Sequence, residues 1–315
     1  MPGFGSRPAR RLAVAILSLC LAPALASAQS APDDRALQIA RRALDAVREG
    51  WSLARYDESR QVRASINLRG AGSQGATANL VVDRATPRWR LDAAGGVGPL
   101  TLWALPDRTA LHVPGLGQYA TRRGGGLAAT AGQAGRIDAE VAAMRARLDG
   151  GYGALTLAGE ETIDGAPTWR LDDRPEPGTT ASYWIDRATH LPRRIALDRP
   201  GRRDLRIDFA YGGGPRPIRA VAYLQGQRDV QVTLTPTYQA SGRVVRLQVV
   251  AQPSGGSPVT TDVTFDWSSS TSAEFFRFTP PAGATEVSFQ QLSQGVLLMA
   301  AGALGSLLPV LLGAT

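Results

Sequence analysis

Lysine is absent from this sequence, and cysteine and histidine nearly so, with one and two copies in 315 residues. The single thiol, Cys20, falls inside an N-terminal leader pattern, so the chain beyond it has no means of forming a disulfide. Stability must then come from burial alone. His112 and His190 are 78 positions apart and neither has a neighbouring ligand at metal spacing, which argues against a zinc cluster and a histidine-based triad. No G-x-S-x-G elbow, no phosphate loop and no calcium-loop series of acids occurs. The paired acids Glu160-Glu161 and Asp172-Asp173 point to opposite faces if they lie on strands, and read as solvated hairpin ends. The sequence therefore predicts a protein that is not an enzyme and holds no metal or cofactor.

Two segments read as targeting devices. Arg7, Arg10 and Arg11 precede the apolar run LAVAILSLCLAPALA, and Ala26-Ser27-Ala28 supplies a small-x-small cleavage site. Residues 1–28 thus have the form of a secretory signal peptide, implying an extracytoplasmic location. Leu19 is too bulky for lipid attachment at Cys20. At the other end, GVLLMAAGALGSLLPVLLGA (295–314) carries no charge over a length sufficient to span a bilayer. The segment 291–315 is expected to be an apolar helix, serving as a membrane anchor or docking on the same protein. Removing the three leader arginines leaves 32 basic against 27 acidic residues, a net +5, all of the cations being arginine. There is no basic run interleaved with aromatics, so nucleic acid is not an expected partner.

Two stretches have helical spacing. In DDRALQIARRALDAVRE (33–49), Leu37, Ala40, Leu44 and Val47 share a face, with Asp33 and Asp34 at its start. In RIDAEVAAMRARL (136–148), Ile137, Val141, Met144 and Leu148 form the stripe, preceded by the small-residue connection 124–135. Most of the remainder alternates with a period of two, as in QVRASINL (61–68) and DLRIDFAY (204–211), and turn signals divide it: 70–75, Asp164-Gly165, Gly212 to Gly214 and 254–257. Ten or more antiparallel strands in a meander are predicted. So long a sheet must curl or close to hide its edges. In YWIDRATHLPRRI (183–195), Asp186 to Thr189 are expected to form a turn, with Asp186 accepting from backbone amides and His190 exposed.

Three stretches together resemble the LolA-like outer-membrane lipoprotein carriers: FFRFTPPAGATEV (275–287), LVVDRATPRWRL (80–91) with TLWALPD (101–107), and YWIDRATHLPRRI itself. They extend over a domain at 31–290. The resemblance implies an incomplete antiparallel β-barrel covered by two amphipathic helices, in the periplasm, binding the acyl chains of a lipid or an acylated lipoprotein for transfer across the envelope. Membrane proteins would act as donor and acceptor. By the same resemblance the hollow is lined by Leu80, Val82, Trp89, Leu91, Leu102, Ile207 and Phe209. The lid carries Leu37, Leu44, Ile137, Val141 and Met144. Arg84 latches the lid through its backbone, with Arg88 and Arg90 as the alternatives. The region 213–260 and the apolar tail exceed the family pattern. They leave open a membrane-tethered envelope sensor or regulatory module on the same fold, or a lipid or glycan hydrolase.

Overall fold

The computed structural model describes residues 33–294, except 54–55, 57, 71–74, 96–97, 125–136, 151–154, 177, 199–203 and 226–228. The expected leader (1–28) and the apolar tail (295–314) lie outside the described residues, as does nearly all of the connection 124–135. Among the described residues no helix is long and apolar enough to cross a membrane.

Helix α1 (Asp34–Gly50) begins where its sequence says it should. The Asp33 carboxylate accepts the Ala36 amide at 3.0 Å, satisfying one of the four unpaired donors of the first turn. Its other oxygen accepts the Leu157 amide at 2.9 Å, so the cap also ties the helix to the sheet. Helix α2 (Ile137–Asp149) packs against α1. The exposed ion pair Arg145–Asp45 (2.7 Å) and the bond from Arg41 Nη2 to the Leu148 carbonyl (2.6 Å) cross between them.

Among the described residues the strands form one sixteen-stranded sheet. Its first meander is β1 (Gln61–Gly70), β2 (Ala76–Asp83), β3 (Arg88–Ala94), β4 (Leu100–Ala104), β5 (Arg108–Val113) and β6 (Gln118–Arg123). After α2 a second meander runs through β7 (Thr156–Ile163), β8 (Ala166–Glu176), β9 (Thr179–Asp186), β10 (Pro192–Asp198), β11 (Asp204–Tyr211) and β12 (Pro217–Gln225). It continues through β13 (Val230–Tyr238) and β14 (Val244–Pro253) to β15 (Val259–Asp266). A two-residue strand β16 (Thr285–Glu286) lies parallel to β6.

The topology departs from the single meander that the sequence predicts. β15 returns to pair with β1, Ile66 opposite Val263 and Ala64 opposite Phe265, so the first strand sits in the middle of the sheet and β7 and β16 form its ends. That join depends on residues nearly 200 positions apart, which no local alternation reveals. The two ends do not pair, and the sheet is an unclosed, curled incomplete barrel.

Local turn chemistry behaves as expected. Asp164 (φ +49°) and Gly165 (φ +79°) are both left-handed, as a two-residue hairpin matching the strand twist requires. The expectation of an exposed His190 is corrected: the residue is half-buried at φ +58°, its ring 5.5 Å from that of Trp169. The acid pairs are not merely solvated ends either. Glu161 accepts the Trp184 indole N–H (2.7 Å) and pairs with Arg170 (3.2 Å), which also holds Asp172 (2.9 Å). The Trp184 bond, more than any other contact, holds the Glu161 carboxyl below its ordinary range.

Candidate functional site

Directly paired residues of an antiparallel sheet project to the same face. The register therefore draws continuous apolar rows along the inner side. One row runs from Phe209 through Ala220, Leu234 and Val249 to Thr261, Leu68 and Ala76. A neighbouring row runs from Phe265 through Ala64, Leu80, Leu91 and Leu102 to Leu111 and Ala120. The opposite, outer side carries arginine–aspartate pairs, such as Arg194–Asp208 at 2.6 Å and Arg90–Asp92 at 2.9 Å.

This inner face is covered unevenly. Over β8 to β12 it is closed. Leu37 of α1 packs with Leu171 and Ile185, while Leu44, Val141 and Met144 join Leu53 and Leu191 between the helices. Ile207 and Phe209 belong to the buried cluster beneath Trp51, whose ring lies 5.9 Å from Phe209. At the other flank, Val287, Phe289 and Leu292, the last two in a short helical stretch at 289–294, pack on Leu102, Leu111, Val113 and Ala120.

Between these covers the face stays half-open. Ile66, Leu68, Leu80, Leu91, Leu247, Val249 and Val263 are only partly buried, and none of them belongs to a core cluster among the described residues. The strip spans β14 to β3, five strands and about 19 Å at the usual interstrand spacing. A contiguous apolar surface of that width is too large to be an ordinary scatter of surface hydrophobes.

Of the seven residues expected to line a hollow, Leu80, Val82, Trp89, Leu91 and Leu102 lie together on this face, all half-buried. Ile207 and Phe209 share the face but sit in the closed cluster under Trp51. Four of the five lid residues, Leu37, Leu44, Val141 and Met144, are buried where α1 and α2 meet the sheet or each other. Ile137 is the first residue of α2, and its side chain lies outside the described set.

Arg84 follows β2 in the turn to β3. Its Nη1 donates to the carbonyls of Tyr56 and Ser59, the latter at 3.1 Å, in the connection between α1 and β1. Arg88 and Arg90 are placed differently. Arg88 holds Asp83, while Arg90 holds Asp92 and donates to the Phe275 carbonyl (3.1 Å) with its guanidinium 4.5 Å from the Phe275 ring. The 275–278 segment thus packs on the outer face, with Phe276 fully buried beside Arg88 and Phe278 against Trp103.

The D-R-A-T sequence occurs twice and folds twice into one device. Asp83 accepts the amides of Ala85 (3.1 Å) and Thr86 (3.2 Å) and the Nε and Nη2 of Arg88 (3.2 and 2.9 Å). Asp186 accepts those of Ala188 and Thr189 (2.9 Å each) and the Nε and Nη2 of Arg193 (2.9 and 2.7 Å). Burial pushes both carboxyls up. The turn amides and the guanidinium more than offset this and hold them below the ordinary carboxylate range. Both carboxylates are thus spoken for, as structural anchors. His112, half-buried in β5, has its imidazole pushed toward the neutral form by burial. Among the described residues no group of three His, Cys, Asp or Glu side chains is placed to hold a metal.

No protein-family model and no curated protein matches the chain. Solved structures similar to it include a DUF1329 family protein from Desulfovibrio piger, at 12% identity and a TM-score of 0.34, covering 79% of this chain and 98% of that one. A putative outer membrane lipoprotein-sorting protein domain from Vibrio parahaemolyticus is similar at 12% identity and 0.29, over 73% and 97% of the two chains. A LolA superfamily protein from Nitrosomonas europaea is similar at 11% identity and 0.30, over 73% and 97%. LolA superfamily and lipoprotein-sorting proteins are therefore among its structural neighbours, the group that the three sequence motifs resemble. Identities and TM-scores this low leave the function to be read from the chain's own side chains.

Proposed function

We propose that this protein is an exported, non-catalytic carrier that shelters the acyl chains of a lipid or an acylated lipoprotein in transit across the cell envelope. The observation that carries this reading is the half-open apolar strip on the inner face, flanked by helical covers on both sides. Exposing a methylene to water costs about 0.8 kcal/mol, so a long acyl chain costs on the order of 10 kcal/mol to carry through an aqueous compartment. A single chain spans one leaflet, about 15 Å of the roughly 30 Å hydrocarbon core of a bilayer. The strip is wide enough to take one, and its boundaries at α1 and at 287–292 define two edges that can move apart for loading. Arg84, which ties the α1–β1 connection to the β2–β3 turn, serves as the latch.

The test is mass spectrometry of lipids extracted from purified protein, with titration of a fluorescent fatty acyl probe. Stoichiometric lipid or one-to-one probe uptake is expected. Protein that carries no lipid and takes up no probe refutes the reading. Repeating the extraction without residues 291–315 reports whether the apolar tail competes for the same strip.

A further inference from the structure

Beyond the apolar strip, a polar cleft of about 610 Å³ lies at the strand ends where the β2–β3 turn, the start of β1 and the 267–273 loop converge. Arg60, Arg88 and Arg243 line it, against a single lining carboxylate, Glu58. The volume falls in the usual range for small-ligand sites. Arg88 spends two donors on Asp83 and keeps its Nη1. Arg243 is bound to Glu58 at 3.1 Å, while the guanidinium of Arg60 makes no ion pair or hydrogen bond among the described residues.

Two further features point to a ligand. The hydroxyl oxygens of Ser269 and Thr271, both lining residues, are buried and have no hydrogen-bond partner among the described residues. A buried polar group left unpaired is costly, and an acceptor placed in the cleft would satisfy both. The loop that carries them is also fixed in advance: the Gln61 amide accepts the Thr271 N–H at 2.7 Å and donates to the Thr271 carbonyl at 3.2 Å. Guanidinium forks and hydroxyl donors together form the donor set that a phosphate ester, with its three acceptor oxygens, engages best.

We infer that this cleft binds a phosphate group. The cleft adjoins the strip through Trp267, a lining residue whose ring stacks on Phe265 at 5.7 Å, and Phe265 stands opposite Ala64 in the inner row. Resting on the carrier reading, the phosphate is that of a lipid headgroup whose chains lie along the strip; free phosphate shares the chemistry and is separated by the test.

The experiment titrates the full mature chain with dihexanoyl-phosphatidic acid, whose phosphate monoester offers three free oxygens, dihexanoylglycerol, which has no phosphate, and inorganic phosphate, following Trp fluorescence and calorimetric heats. The wild type is compared with Arg60→Ala, Thr271→Val and, as a control, Arg219→Ala, an exposed arginine on β12. The phosphate-bearing lipid is expected to bind at least tenfold tighter than the phosphate-free one. Arg60→Ala and Thr271→Val should each remove most of that preference without moving the dihexanoylglycerol affinity, and Arg219→Ala should change neither. Phosphate binding alone, lost in the same two variants, keeps the cleft as an anion site and transfers its source to free phosphate. Equal affinity for both lipids with no phosphate binding, or a preference untouched by either variant, overturns the inference while leaving acyl carriage standing. Phosphate binding without uptake of any lipid sinks the carrier reading and spares the cleft.

Discussion

Replacing Asp83 with alanine tests how the sheet holds its helical cover. Its side chain is fully buried and accepts two turn amides and two donors of Arg88, whose own side chain is 18% exposed. Breaking a buried pair by removing one member costs about 3–5 kcal/mol, because the surviving charge stays desolvated. Arg88 retains some contact with water, which places the expected loss near the lower end, about 3 kcal/mol. In a domain of this size each kilocalorie lowers Tm by about 2–4 °C, so a fall of roughly 6–12 °C is expected by circular dichroism. The same turn carries Arg84, so amide exchange should also accelerate across residues 56 to 60, which Arg84 grips. The effect has a pH signature. The folded carboxyl lies below its ordinary range, so its contribution is complete at neutral pH and is lost as pH falls through the folded value. The gap between wild type and Asp83→Ala should therefore narrow as pH drops below about 4, the ordinary aspartate value. The exposed pair Asp107–Arg108, with side chains 62% and 50% accessible, is the internal control, and Asp107→Ala should cost less than about 1 kcal/mol. A loss at Asp83 as small as at Asp107, or one independent of pH, refutes the reasoning.

Other outcomes follow from the uneven cover of the inner face. Ile66→Asp, in the half-open strip, should abolish acyl-probe uptake while shifting Tm by only a few degrees, since the site is partly solvated. Ile207→Ala, 1% exposed in the closed cluster, should do the reverse, costing about 2–5 kcal/mol and leaving the probe affinity of the folded protein unchanged. Arg84→Ala should speed probe exchange in stopped-flow mixing by releasing the connection after α1; an unaltered rate would remove the latch. His190→Ala should leave lipid uptake intact, because that side chain packs on Trp169 beside a turn, away from the strip.

The sequence alone determined the elements, because the information for them is local. Alternation of period two marked the strands, the Asp33 cap and the 3.6-residue stripes bounded both helices within a residue, and Asp186 announced the turn that its carboxylate holds. It also grouped Leu80, Val82, Trp89, Leu91 and Leu102 on one face, since alternation along neighbouring hairpin strands fixes side. It did not reveal that Ile207 and Phe209, with identical alternation, are sealed under Trp51, nor that Phe276 is buried on the outer face. Periodicity says which side a residue takes and nothing about what lies over it. Only the tertiary structure decided that β15 closes onto β1, that the covers stop short of the strip, and that Gln61, Arg60 and Thr271, 210 positions apart at the extremes of one hydrogen bond, meet around a cleft. Those outcomes depend on long-range register, which is set by burial summed over the whole sheet and by no single stretch of chain.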